Sequence, residues 1–228
     1  MNPFAVVESR FVAHGHRLLL LSLLAVIIVY PVFEGSAGMQ WFLAALMAVT
    51  LLGAVRTVAH QPGPYRIALT LFVIALVPQF GVLLDNSAWL EMLRGMATML
   101  FLLWVCGLLL RDIMLRSQDV SGDLIFGAIN IYLMVGLAFA MLYGLAEYIQ
   151  PGSFSGSGLV TNEDGSKLGF VYFSYVTLST LGYGDITPVA PLVRTFAYIE
   201  AIFGQLYLAI LVARLVGNYV TRSEQKSD

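Results

Sequence analysis

The residues with the clearest chemical potential form a hexapeptide late in the chain, made of Thr180, Leu181, Gly182, Tyr183, Gly184 and Asp185. Two glycines flank one aromatic residue, and glycine adopts backbone conformations that are closed to other residues. Such a run can hold successive carbonyl oxygens pointing the same way, toward an axis. A ring of these oxygens from several chains would replace the hydration shell of a monovalent cation. Thr180 would add a hydroxyl at the inner end, and Asp185 would place negative charge at the outer mouth.

The hexapeptide resembles the selectivity filter of the potassium-channel family. The commonest form of that filter has valine where this chain has Leu181, an exchange that keeps the carbonyl and puts a bulkier side chain behind the filter. The resemblance implies that K⁺ is held by the carbonyls of Thr180, Leu181, Gly182 and Tyr183, with no cofactor besides the permeant ions. The alternative is a glycine-rich turn between two helices. Six residues in register, after an aromatic run and before an apolar helix, argue against it.

The composition is that of an integral membrane protein. Of 228 residues, 59% are hydrophobic and 11% are charged, and the mean hydropathy is +0.82, whereas soluble domains are about 45–50% apolar and about 25% charged. A net charge of −2 does not indicate a nucleic-acid-binding protein. The lone Cys106 cannot form an internal disulfide and is interpreted as a packing residue. His14, His16 and His60 have no metal-ligand spacing and are interpreted as interfacial residues.

Crossing about 30 Å of hydrocarbon takes roughly 20 helical residues. The sequence predicts six such segments, at 18–33, 38–55, 65–84, 89–110, 123–148 and 192–217. The first is an apolar run with basic flanks, so a signal peptide is the alternative to a retained transmembrane helix. Because the chain begins at Met1, the retained helix is the favoured interpretation.

Basic residues are concentrated on one set of loops, which marks the cytoplasmic side. They are Arg10, Arg17, Arg56, Arg66, Arg111, Arg116, Arg214, Arg222 and Lys226. The opposite side carries Glu34, Asp85 and Asn86, with Lys167 and Arg194 as exceptions. Both termini are therefore expected inside and the hexapeptide outside. Small size favours a bacterial inner membrane, with membrane lipid as the surrounding partner.

About 40 residues separate the last two segments. Residues 150–167 are polar and rich in glycine and serine, which predicts an extracellular turret without regular structure. Residues 168–179 are apolar and aromatic but too few to span, which favours a re-entrant helix. A non-helical filter after it is tolerated at membrane depth only if protein surrounds it and it lines an aqueous path. Pro191 is expected to open the last helix.

The resemblance also implies roles for residues around the filter. An aromatic residue of the pore helix often braces the filter in this family, and Tyr172 and Tyr175 have the required hydroxyl. Some members carry a pore-helix carboxylate near the position of Val176, which this chain lacks. Gly204 matches the position of a gating hinge glycine in the inner helix. Close helix packing is the equally weighted alternative for Gly204.

The last helix has two further features. Channel inner helices place Gln205, Leu208 and Val212 toward the cavity, with the stripe of Tyr207 and Leu211 as the competing face. Glu200 is a carboxylate in an apolar helix, which is expensive unless it faces protein or water. We expect Glu200 to hydrogen-bond the pore helix or the back of the filter, through Thr177. The alternative is a protonated or water-facing residue without a gating role.

Six segments with a pore between the last two is the layout of voltage-gated cation channels. In those channels the fourth segment carries arginines at every third position, and steep gating needs several of them. This chain offers only Arg94 before Arg111. We therefore expect little voltage dependence, with the first four helices acting as a structural collar.

The sequence predicts an all-α membrane protein in three parts. Residues 1–117 form a four-helix transmembrane domain that lacks voltage-sensor arginines. Residues 118–221 form the pore domain, with outer helix, turret, pore helix, filter and inner helix. Residues 222–228 form a short cytoplasmic tail.

One filter loop cannot enclose an axial path, so the resemblance implies a homotetramer. The predicted function is passive, potassium-selective conduction, without enzymatic activity and without a soluble substrate. One alternative is a non-conducting regulatory or assembly subunit with a channel-like fold. Another is a membrane enzyme or proton-coupled transporter, which would need several titratable groups within the membrane.

Overall fold

The computed structural model describes residues 3–33, 40–59, 62–84, 87–115, 122–161 and 167–224. The seven helices in these ranges are α1 (Pro3–Phe33), α2 (Gln40–Thr57), α3 (Pro62–Gly81), α4 (Ala88–Leu115), α5 (Gly122–Ile149), α6 (Phe170–Leu178) and α7 (Pro191–Glu224). Four two-residue strands lie around α6, namely β1 (Phe154–Ser155), β2 (Val160–Thr161), β3 (Lys167–Leu168) and β4 (Thr187–Pro188). The predicted all-α class is confirmed.

Five of the described helices are long and apolar enough to cross a bilayer, and α1 contributes a shorter apolar stretch, Gly15–Tyr30. A helix is the form expected there, because hydrocarbon offers no water to satisfy backbone N–H and C=O groups. The chain is thus a multi-pass membrane protein. Pro62 and Pro191 stand at the first positions of α3 and α7, where a missing N–H costs nothing.

The first four helices pack in neighbouring pairs. Gly53 of α2 lies against the backbone of α1, where an added Cβ would come within 3.2 Å of the Leu19 Cα. Two buried hydroxyls in this bundle, those of Ser22 and Thr57, bond to carbonyls of their own helices, as Thr57 Oγ1 does to the Ala54 oxygen at 2.7 Å. Small residues and self-satisfied hydroxyls allow close approach in a medium without water.

The bundle packs on the outer helix of its own chain. Helix α4 packs along α5, and α1 also contacts α5 and reaches α6. Phe101 and Val105 of α4 and Ile131 and Met134 of α5 are essentially inaccessible to solvent. The role of these four helices as a collar around the pore stays a prediction. The predicted boundary between residues 117 and 118 lies outside the described residues.

The pore unit is built on an aromatic cluster between α5, β1 and α6. Tyr143, Phe154 and Phe173 meet edge to face, with ring centroids 5.0 to 5.5 Å apart. Phe170 joins them at 5.0 Å from Phe154. Such pairs add specific geometry to a large buried apolar area. The cluster packs α6 against the C-terminal half of α5.

The turret contains regular structure, so the prediction of none is wrong. β1 pairs antiparallel with β4, which follows the hexapeptide, and β2 pairs antiparallel with β3. The first pairing ties the turret to the far side of the hexapeptide. Sequence alone gave no sign of it, because two-residue strands leave no alternating pattern to recognise.

Candidate functional site

The hexapeptide backbone alternates between two conformations. Thr180, Gly182 and Gly184 have φ of 59°, 57° and 78°, in the left-handed region, whereas Leu181 and Tyr183 do not. In an ordinary extended chain, successive residues face opposite sides. A left-handed conformation at every second residue cancels that alternation and turns successive carbonyls toward one side. The glycines accept this freely, and Thr180 is the one non-glycine with positive φ among the described residues.

The strained conformation of Thr180 is imposed by its surroundings. Its N–H donates to the Thr177 carbonyl at 2.9 Å, and the N–H of Leu181 donates to the Val176 carbonyl at 2.9 Å. From the inner helix, Gln205 Nε2 donates to Thr180 Oγ1 at 3.0 Å. A β-branched residue at positive φ persists only where neighbours over-determine it, and such outliers cluster at functional sites.

The outer end of the hexapeptide is held at Asp185. Tyr172 of α6 donates its hydroxyl proton to Asp185 Oδ2 at 2.7 Å, and the turret Gly158 N–H donates to the Asp185 carbonyl at 3.1 Å. A carboxylate oxygen only accepts hydrogen bonds, so the phenol of Tyr172 is the donor in this pair. This hydrogen bond is the contact that the predicted bracing role of Tyr172 requires.

Gly156 of the turret is packed directly on this mouth. Its φ is 139°, and a Cβ built on it would overlap the Asp185 carbonyl oxygen. The Asp185 carbonyl is thus turned into the turret. K⁺ ligation by the carbonyls of Thr180, Leu181, Gly182 and Tyr183 stays a prediction.

Known proteins resemble the second half of the chain. An ion channel family model matches residues 129–221. The inward rectifier potassium channel Kirbac3.1 of Paramagnetospirillum magnetotacticum is 30% identical over 112 residues, which make up 47% of this chain and 32% of that protein. Protein LctB of Bacillus caldotenax is 32% identical over 102 residues, 44% of this chain and 75% of that protein. The chain belongs to the potassium-channel family.

A short stretch of a plant relative is more similar still. Two-pore potassium channel 5 of Arabidopsis thaliana is 46% identical over 50 residues, which are 22% of this chain and 12% of that protein. The chain therefore spans a third or less of the length of Kirbac3.1 and of the plant channel. The family match runs from within α5 to within α7, so it covers the outer helix, turret, pore helix, filter and inner helix.

Glu200 of α7 is completely buried, between the pore helix α6 and the outer helix α5. Tyr143 of α5 donates its hydroxyl proton to Glu200 Oε2 at 2.6 Å, and Ser174 of α6 lies within hydrogen-bond distance of Glu200 Oε1. Glu200 was expected to bond the pore helix and it does, but its partner there is Ser174 and not Thr177. Residue 174 is one helical turn earlier on the same face of α6, which is the face that α7 meets. Thr177 instead contributes its carbonyl to Thr180.

Tyr175 does not reach the filter. Its hydroxyl donates to the Leu133 carbonyl of α5 at 2.7 Å, and its ring fills the space above Gly136, where an added Cβ would overlap the ring. Tyr132 of α5 returns a bond to the Leu178 carbonyl at 3.3 Å. The predicted direct support of the filter by Tyr175 is therefore replaced by an anchoring of the pore helix on α5.

Gly204 lies where α7 crosses the end of the pore helix. A Cβ built at this position would overlap the Leu178 carbonyl oxygen, and α7 continues without a break on both sides. The close-packing interpretation therefore has a direct structural basis. The gating-hinge role stays a prediction.

The two candidate faces of the inner helix are separated by their contacts. Tyr207 donates its hydroxyl proton to the Ala128 carbonyl of α5 at 2.7 Å and stacks on Phe203, so its stripe faces α5. Gln205, Leu208 and Val212 are exposed in the single chain. Gln205 also donates to Thr180 Oγ1, so this second face begins at the inner end of the filter, and its role as a cavity lining stays a prediction.

Leu181 borders an apolar groove behind the filter. The groove has a volume of about 390 Å³ and is lined by Val176 and Tyr172 of the pore helix and by Leu24 and Ile27 of α1. The larger side chain at position 181 therefore has space beside it.

Several site residues were not singled out from the sequence. They are Ser174 and Tyr143 around Glu200, Gly136 under Tyr175, and Gly156 and Gly158 against Asp185. A serine within an aromatic run, one turn from Thr177, was the clearest available signal. The glycines carried none, because their partners lie on other elements.

Proposed function

We propose that the protein is a potassium-selective channel that conducts K⁺ passively through the carbonyls of Thr180, Leu181, Gly182 and Tyr183. The observation that supports this most strongly is the alternating left-handed backbone at Thr180, Gly182 and Gly184. Carbonyls aligned in this way can replace the water around a dehydrated cation, and several adjacent sites allow one ion to displace the next. The bonds from Gln205 and Tyr172 hold the two ends of the filter.

The pathway requires several copies of the chain, and we propose a homotetramer. In the single chain, Tyr183 is 66% exposed and Leu181 is 58% exposed. The inner helix α7 is the least buried of the described spans. Neighbouring copies placed around an axis would cover these groups and close the ring. Four copies is the number that the family resemblance implies.

Little voltage dependence is expected of this channel. Within α4, the described residues that carry positive charge are Arg94 and Arg111, and Arg94 pairs with Glu91 one turn before it. A paired, single charge near one end of a helix offers little to a membrane potential. We further propose that both termini are cytoplasmic, from the distribution of basic residues, and that the membrane is a bacterial inner membrane.

Cation flux into liposomes tests the proposal. Purified protein should carry K⁺ into vesicles and should exclude Na⁺. Gly182→Ala should abolish the flux, because an alanine at φ of 57° is strained and would turn the neighbouring carbonyls. Gly107→Ala in α4 is the matched control, since an added Cβ there meets nothing within 4 Å. Folded protein that carries neither ion would favour the non-conducting assembly subunit, and equal Na⁺ flux would contradict selectivity.

A further inference from the structure

One buried carboxyl group joins the inner helix, the pore helix and the outer helix. Glu200 comes from the inner helix α7, Ser174 from the pore helix α6, and Tyr143 and the Gly136 carbonyl from the outer helix α5. Ser174 and Glu200 are both 0% exposed. The pore helix and inner helix are therefore bridged through side chains at a place that water does not reach.

The positions of protons in this cluster follow from counting donors. Ser174 Oγ lies 2.6 Å from the Gly136 carbonyl oxygen and is also in hydrogen-bond contact with Glu200 Oε1. A carbonyl only accepts, and a serine hydroxyl has a single proton to donate. If Ser174 donates to Gly136, then the proton between Ser174 and Glu200 must belong to Glu200. If Ser174 instead donated to an ionised Glu200, two lone-pair oxygens would face each other at 2.6 Å.

The surroundings of Glu200 favour the same distribution. Tyr143 supplies one donated bond to Oε2, and none of the basic residues in the described ranges forms an ion pair with Glu200. The titratable groups that face it are the phenols of Tyr143 and Tyr132 from α5 and of Tyr175 from α6. None of these carries positive charge. An ionised carboxylate in such a site would lack the partner that buried charges require.

We propose that Glu200 is a protonated positioning residue, whose carboxyl proton links the inner helix to the pore helix through Ser174 and Gly136. The chain of donation runs from Glu200 to Ser174 to the Gly136 carbonyl. If Glu200 lost this proton, Ser174 would have to donate to Glu200. The Ser174 Oγ and the Gly136 carbonyl oxygen would then face each other with no proton between them.

The position of this link connects it to the filter. One turn after Glu200, Gly204 touches the Leu178 carbonyl, and the next residue, Gln205, donates to Thr180. Glu200 therefore sets how α7 lies against the end of the pore helix at the point where the filter begins. Its consequence for conduction rests on the proposed function, whereas its protonation does not.

Infrared spectroscopy tests the protonation without any reference to ion flux. The wild-type protein at pH 7 is expected to show the carbonyl stretch of a protonated, buried carboxylic acid, and Glu200→Gln should remove that band. Glu91→Gln is the matched control, because Glu91 is a half-exposed carboxylate paired with Arg94, and it should leave the band in place. A spectrum in which Glu200→Gln removes only ionised-carboxylate bands would overturn the proposal.

Potassium flux in liposomes tests the positioning role. A glutamine at position 200 can donate to Ser174 and accept from Tyr143, so Glu200→Gln should conduct within about twofold of wild type at pH 7. Glu200→Ala should lose at least about tenfold, and rescue by glutamine separates the donated bond from charge. As the pH rises, the acid band and the wild-type flux should fall together, while Glu200→Gln keeps its flux.

Three outcomes would overturn the positioning role. The first is Glu200→Gln failing as completely as Glu200→Ala, with both proteins folded. The second is the acid band disappearing at alkaline pH while wild-type flux persists. The third is Glu200→Ala conducting like wild type. If the wild type itself fails to conduct, the proposed function fails, and the infrared result still decides the protonation.

Discussion

At Gly204 the inner helix lies so close to the pore helix that no side chain fits between them. The Leu178 carbonyl occupies the place where a Cβ would stand, at the point where the pore helix ends and the filter begins. Small residues at such crossings let backbones approach in a membrane. The same glycine was also predicted to be a hinge, and the two roles give different mutational results.

Gly204→Ala should destabilise the folded channel by about 1–3 kcal/mol, the usual cost of forcing extra volume into a packed site. Thermal unfolding in detergent measures this. Gly107→Ala is the control, because its added Cβ meets nothing, and it should be neutral or stabilise by about 0.5–1 kcal/mol. Normal stability of Gly204→Ala with an altered open probability would favour the hinge over close packing.

Tyr172 provides the other residue-scale prediction. Tyr172→Phe removes the donor to Asp185, so the outer end of the filter should lose order and the current should decay faster during sustained activity. The bond is partly exposed, so the expected loss of stability is about 1 kcal/mol. Tyr148→Phe, an exposed tyrosine on α5, should change neither quantity. Identical current decay in all three proteins would show that the bond does not brace the filter.

Among the elements, the turret differs most from expectation. β1 pairs with β4 and Gly156 rests on the Asp185 carbonyl, so the turret clamps the outer end of the filter. Glu147 near the end of α5 secures this loop by accepting the N–H groups of Gly152 at 2.9 Å and Phe154 at 3.2 Å. The polar, glycine-rich turret is therefore in direct contact with the outer end of the filter.

Gly156→Ala should disturb the mouth more than Gly152→Ala. Both glycines have positive φ, so both substitutions strain the backbone, but an added Cβ at Gly152 meets nothing whereas one at Gly156 meets Asp185. Recordings of single channels should show reduced conductance or loss of selectivity for Gly156→Ala only. If Gly156→Ala changed conductance and selectivity no more than Gly152→Ala does, the contact between Gly156 and Asp185 would not act on the filter.

The elements also show what the sequence could and could not predict. The spans, the pore helix and the filter were predictable because apolar length and a six-residue motif are local signals. The opening of α7 at Pro191 was predictable for the same reason. The partners of Glu200 were not predictable from the sequence. Ser174 and Tyr143 lie 26 and 57 residues from Glu200 in the chain, and only the packing of the helices brings them together. The role of Tyr175 was missed likewise, because it depends on a gap at Gly136.

At the scale of the whole molecule, the four-helix bundle packs on the outer helix of the same chain, with α4 lying along α5. A bundle packed in this way, with Arg94 paired to Glu91 near the start of α4, is suited to surround a pore and offers little charge to move in a field. Each elementary charge moved through 100 mV is worth about 2.3 kcal/mol. The architecture therefore predicts conduction that is nearly independent of voltage.

A conductance–voltage curve measures this directly. The expected slope corresponds to less than about one elementary charge per channel, and Arg94→Gln should leave the curve unchanged because Arg94 is already paired with Glu91. A steep curve that carries several charges would contradict a passive collar.

The central claim is that aligned backbone oxygens of Thr180 to Tyr183 select potassium. The most direct measurement is the reversal potential in a planar bilayer, with K⁺ on one side and an equal concentration of Na⁺ on the other. We predict a shift of more than about 59 mV toward the potassium equilibrium, the value for a tenfold preference between monovalent ions. Currents that reverse near 0 mV would contradict the account.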